Sequence, residues 1–106
     1  KNQTRVVYIA TSKVNELDIE WKTKIDRHKR RRPKQWIIEE VEMNLTDTIN
    51  KYKDNSAIII DSLGGFVANH LEKQNYQWEE IQLSLIKSIS FRNFCGMLLF
   101  IFFFNE

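Results

Sequence analysis

Glycine and proline are scarce in this 106-residue sequence, which has three of the first and one of the second. That scarcity excludes a collagen-like or low-complexity disordered chain. A single cysteine, Cys95, excludes an internal disulfide and fits a reducing, cytoplasmic setting. No stretch reaches the ~20 apolar residues of a membrane-spanning helix. The nearest candidate, residues 94–104 (FCGMLLFIFFF), is about half that length, so no membrane partner is expected. The start is polar and charged, and no signal peptide is legible. An initiating methionine and a G-x-x-x-x-G-K-[ST] phosphate loop are also absent. Because Lys1 lies almost directly on a predicted strand, the expectation is that upstream sequence is missing.

What is present is enough for one domain spanning residues 1–106, with 42% apolar residues to build a core. Charge is divided unevenly along the chain. Residues 1–36 hold 11 Lys/Arg against 4 Asp/Glu, and residues 37–106 hold 5 against 10. A basic half followed by an acidic half fits an anionic ligand held near one edge better than a uniformly basic nucleic-acid surface.

Residues 5–10 (RVVYIA) are β-branched and aromatic and predict a buried strand. A helix follows, capped by Ser12 or Asn15, acidic at its start and basic at its end, and stopped by Pro33. Residues 35–40 (QWIIEE) predict a second strand. Leu45, Ile49 and Tyr52 mark a helix with Asn44 as its cap. Residues 56–61 (SAIIID) are the clearest buried strand, and 62–71 (SLGGFVANHL) lead into another helix. Trp78, Ile81, Leu85 and Ile89 give a last amphipathic helix. Strands alternating with helices predict an α/β domain with a mostly parallel sheet flanked by helices.

Several residues could carry chemistry. Asp61 ends an apolar strand, where open α/β sheets present metal- and nucleotide-binding carboxylates, although such an aspartate can equally cap the next helix. Arg30, Arg31 and Arg32, within the basic run 29–34, could clamp a triphosphate or simply form a solvated helix end. At ~100° per residue His28 falls about 20° from Leu17, on the apolar stripe Leu17–Trp21–Ile25. It reads either as a satisfied core histidine or as a nucleophile whose neighbouring cations spread developing charge. His70 has no Cys or His partner at metal spacing, so zinc is not expected. Gly64 and Gly65 read as a flexible corner, and Trp21, Trp36 and Trp78 as core or interface residues.

The ordered series VVYIATS, RHKRRRP with a following tryptophan and carboxylate, and AIIIDSLGGFVANHL resembles one family over roughly residues 5–89. It is the bifunctional adenosylcobinamide kinase / adenosylcobinamide-phosphate guanylyltransferase family of cobalamin biosynthesis. The resemblance implies a P-loop/RecA-like fold and two transfers. A nucleoside triphosphate such as ATP phosphorylates adenosylcobinamide, and GMP then passes from GTP to that phosphate through a guanylylated histidine. By position, His28 would be the acceptor of GMP. Ala10, Thr11, Ser12, Lys29, Arg30, Arg31, Arg32, Glu40 and Asp61 would contact GTP, with Asp61 also a magnesium ligand and Asn69 structural. The implied partners are adenosylcobinamide and nucleoside triphosphates, without nucleic acid, in a cytoplasmic homo-trimer.

The resemblance also implies an incomplete domain. The family's phosphate loop should precede Val6, Gly64–Gly65 replace a threonine and its neighbour, and residues 90–106 read as a divergent apolar tail with the C-terminal elements missing. Two further readings stay open at this stage. One is an inactive, truncated relic of the enzyme, and the other a small basic nucleic-acid-binding module resting on residues 29–34 alone.

Overall fold

The computed structural model describes residues 5–11, 19–20, 23–24, 27, 32–52, 56–72, 77–94 and 96–103. Ser12, Asn15, Leu17, Trp21, Ile25, His28, Lys29, Arg30, Arg31 and Cys95 lie outside them. Four strands form one sheet: β1 (Arg5–Ala10), β2 (Ile37–Glu40), β3 (Ser56–Asp61) and β4 (Leu99–Phe102), in the order β2-β1-β3-β4. Every neighbouring pair is parallel. Among the described residues three helices are delimited: α1 (Leu45–Lys51), α2 (Leu63–Glu72) and α3 (Trp78–Phe94). Between β1 and β2, Ile19, Glu20, Thr23, Lys24 and Arg27 are helical, in line with the predicted helix.

Side chains alternate across a strand, so the register sorts the sheet into two faces. Val7 pairs with Ile37 and Ile58, and Ile58 with Leu99; Ile9 pairs with Ile60, and Ile60 with Ile101. These residues share one core with Leu45 and Ile49 of α1, Phe66 of α2 and Leu85 of α3. All three helices therefore cover the same face. The opposite face carries Ile38, Tyr8, Ile59 and Phe100 across one row, of which Ile38 and Phe100 are exposed. Central parallel strands read as continuous apolar runs because both of their faces are covered, which is why β1 and β3 are predicted to the residue.

The other boundaries shift for identifiable reasons. β2 begins at Ile37 and not Gln35, because the Trp36 N–H turns back to the Pro33 carbonyl at 3.2 Å. Asn44 precedes α1 but makes no side-chain cap; its carbonyl accepts from Thr48 N–H at 3.1 Å and from Thr48 Oγ1 at 3.0 Å. Gly64 and Gly65 are no flexible corner but the first turn of α2. The tail does not stand apart from the fold. Residues 90–94 continue α3, and Leu99–Phe102 add β4 to the sheet beside β3. Gly96, at φ 72°, supplies the left-handed residue after α3, with Met97 N–H donating to Arg92 O at 2.9 Å and Gly96 N–H to Asn93 O at 3.1 Å. Arg92 itself is buried and donates to the Tyr52 carbonyl at 2.5 Å and the Ser56 carbonyl at 2.6 Å. It thereby fastens α3 to both ends of the connection leading into β3.

Candidate functional site

The carboxyl ends of β1, β2 and β3 bring several of the expected residues together. Ala10 pairs with Glu40 on one side and with Asp61 on the other, so three site candidates form one row on the face opposite α1, α2 and α3. Strands lie about 4.8 Å apart, which separates the two carboxylate-bearing strands by roughly 10 Å, with only a methyl group between them. Such a row leaves a shallow gap flanked by acids. Glu40 is exposed, and Ala10 and Asp61 are half-buried.

Behind Asp61, on the same face, stands Tyr8. Its hydroxyl donates to Asp61 Oδ2. Burial, then the hydrogen bond to Asp61, push the phenol up to about 12. It is no acid or base near neutrality, and serves as a fixed donor. The Arg32 guanidinium lies over the Tyr8 ring, 4.1 Å from its centroid, and Trp36 stacks on the same ring at 5.9 Å with 20° between planes. The end of the basic segment is thus seated beside the Asp61 carboxylate. Arg32 Nε is buried without a hydrogen-bond partner among the described residues, an orphan that a bound anion would satisfy.

Thr11 is locked to the turn after β3. Its N–H donates to Asp61 O at 2.9 Å, its hydroxyl donates to Ser62 O at 2.6 Å, and the same oxygen accepts from Ser62 N–H at 2.8 Å. Ser62, not Asp61, caps α2, its Oγ accepting from Gly65 N–H at 3.1 Å. Gly64 N–H is also taken, by the Phe103 carbonyl at 2.8 Å. The amino end of α2 is therefore satisfied from within, and the Asp61 side chain lies on the sheet face opposite α1, α2 and α3. The Asp61–Ser62 peptide is cis.

Asn69 ties two edge loops to one another. Its Nδ2 donates to Thr11 O at 2.9 Å and to Glu42 O at 2.9 Å, using both amide hydrogens on backbone carbonyls that follow β1 and β2. His70, one residue on, is buried against Phe66 and Trp78, with Nε2 3.3 Å from Met43 O. The structure thus assembles Ala10, Thr11, Arg32, Glu40, Asp61 and Asn69 around one edge. The expectations on Ser12, His28, Lys29, Arg30 and Arg31 fall outside the described residues. Tyr8 and Trp36 were not expected here. The signal for Tyr8 was available: as the polar-tipped residue between Val7 and Ile9 it must face away from their core, on the side of Ala10 and Asp61.

The family model for cobinamide kinase / cobinamide phosphate guanyltransferase matches residues 1–101. The chain belongs to that family. The match runs past Ser90 to Ile101, within β4. No curated protein matches the sequence. Membership ties the chain to cobalamin biosynthesis and to transfer chemistry on nucleotides, on an α/β fold with an all-parallel four-stranded sheet. Among the described residues, no helix is long and apolar enough to cross a membrane.

A magnesium ion is implied by nucleotide chemistry of this kind. Among the described residues no group of three or more His, Cys, Asp or Glu could hold a metal. Magnesium keeps most of its waters and is held by one or two carboxylates together with substrate phosphates, so holding it does not require such a group. Asp61, at the end of the central strand and oriented by Tyr8, fits as such a carboxylate.

Proposed function

We propose that this chain is the nucleotide-handling part of an adenosylcobinamide kinase / adenosylcobinamide-phosphate guanylyltransferase, with the carboxyl ends of β1–β3 as its nucleotide site. The observation that carries the reading is the row Glu40–Ala10–Asp61, with the Arg32 guanidinium seated beside it through Tyr8. Ala10 and Thr11 form the floor against which the nucleotide lies. Arg32, with Lys29, Arg30 and Arg31 preceding it in sequence, neutralises the triphosphate, and bidentate guanidinium–phosphate contacts fix its orientation. Bound through Asp61 and the phosphate oxygens, Mg2+ would supply further charge neutralisation at the triphosphate.

In guanylyl transfer, a ring nitrogen of neutral His28 attacks the α-phosphorus of GTP. A P–N bond forms, the bond to the β-phosphate oxygen breaks, and pyrophosphate leaves. A phosphate oxygen of adenosylcobinamide phosphate then attacks the same phosphorus, and the P–N bond breaks to free His28 and give adenosyl-GDP-cobinamide. The cations matter most in both transition states, where negative charge accumulates around phosphorus. Phosphorylation of adenosylcobinamide by ATP or GTP is the preceding step, and it draws on the same Asp61 carboxylate and arginines.

The test is covalent labelling. GTP carrying its label on the α-phosphate should leave an acid-labile, base-stable adduct on the protein, and His28→Ala should abolish it. Undiminished labelling of His28→Ala would show that another residue accepts GMP.

A further inference from the structure

Tyr8 stands one row behind Glu40–Ala10–Asp61 on the same face, and no step of the proposed chemistry uses it. It nevertheless touches both halves of the candidate site. Its hydroxyl donates to Asp61 Oδ2 on one side, and its ring carries the Arg32 guanidinium at 4.1 Å on the other. Trp36, just before β2, stacks on that ring at 5.9 Å and keeps its orientation.

Two consequences follow from these contacts. With Oδ2 accepting from the phenol, the Asp61 carboxylate cannot rotate freely, and Oδ1 is the oxygen left to face a ligand. The guanidinium is held against the ring, and its Nε is buried without a partner among the described residues, an N–H left for an anion. A valine or isoleucine at this position, like Val7 and Ile9 beside it, could do neither.

We propose that Tyr8 is a positioning residue, orienting Asp61 with its hydroxyl and seating Arg32 with its ring, so that acid and cation face one bound nucleoside triphosphate together. The inference rests on the nucleotide reading above and adds to it a residue that the expected site does not contain.

Calorimetric titration of the protein with GTP, with and without Mg2+, separates the two contacts. Tyr8→Phe keeps the ring and should keep the Mg2+-free affinity. The factor by which Mg2+ tightens binding should fall about tenfold, the worth of one hydrogen bond to a charged group. Tyr8→Leu removes the seat of Arg32 as well and should weaken Mg2+-free binding about threefold. Thermal melting of each variant reports on folding separately. A tyrosine that merely packs would lower the melting temperature of Tyr8→Phe and leave its Mg2+ factor unchanged, which would overturn the positioning role alone. If the unsubstituted protein binds no GTP, or gains nothing from Mg2+, the nucleotide reading itself falls and this role with it.

Discussion

Gly65 is the position where one added carbon should do the most informative damage. A Cβ built there would lie 2.6 Å from Thr11 Oγ1 and 3.3 Å from Ser62 Oγ. The first distance is well inside contact, and the threonine has nowhere to retreat. It is buried, and its hydroxyl oxygen is held between Ser62 O at 2.6 Å and Ser62 N–H at 2.8 Å. Gly65→Ala must therefore push the start of α2 from the end of β1, or break the Thr11–Ser62 pair. Overpacking costs about 1–3 kcal/mol and each lost hydrogen bond about 1 kcal/mol, while alanine returns up to about 1 kcal/mol of helix propensity. The net expectation is a loss of about 2 kcal/mol, or about 10 °C in melting temperature for a domain of this size. Urea denaturation and thermal melts of a double-mutant cycle supply the check. Thr11→Ala removes the clashing oxygen, so Gly65→Ala should cost close to nothing in that background, a coupling of about 2 kcal/mol. Equal costs in both backgrounds would refute the clash as the cause.

Three other expectations concern the same edge and its surroundings. Asn69→Ala should cost about 2 kcal/mol by leaving the Thr11 and Glu42 carbonyls unpaired, and Asn69→Asp should cost more, because a carboxylate would face both of those oxygens; melts that rank the two the other way would contradict the assigned amide orientation. The Lys51 ammonium, at 2.8 Å, and the Tyr52 hydroxyl hold Glu39 below the usual carboxylate range, so this group stabilises the fold above its unfolded pKa and stops doing so as the pH falls through its folded value. Glu39→Gln should accordingly be the less stable protein near neutrality and match the parent in acid, and a difference that persists in acid would oppose the assignment. Tyr8 keeps its proton to about 12 where an unfolded tyrosine loses it near 10.0, so its contribution is complete below the lower value and drains away between the two. Tyrosinate absorbance should show a late step that is smaller in Tyr8→Phe, where Tyr52, also raised by its bond to Glu39, still contributes; a late step of undiminished amplitude in the variant would count against the buried contact with Asp61.

The two central strands were readable from sequence because burial on both faces leaves an unbroken apolar run, as in RVVYIA and SAIIID. β4 was not, for the opposite reason. Its outward residues Phe100 and Phe102 are exposed yet as apolar as its inward residues Leu99 and Ile101, so LFIF shows no period of two and merges with the phenylalanines beyond it. At the site, Asp61, Ala10 and Glu40 could each be picked out from the resemblance, but their alignment in one row depends on register, which no single strand encodes. The capping role fell to Ser62 and not to its neighbour because the aspartate is already engaged by Tyr8, a residue 53 positions away. Contacts of that separation are what local patterns cannot report.

Arg92 extends this dependence on distant partners to how the chain completes itself. The ends of the connection between α1 and β3 present carbonyls that a guanidinium from the far end of α3 reaches, 36 and 40 residues further along the chain. A nascent chain that has just released β3 already contains both central strands, yet the two Arg92 contacts at the approach to the second of them are still to come. That fastening comes with the last turn of α3, shortly before β4 adds itself beside β3, so one late-emerging stretch both secures the entry to the central strand and closes its far side.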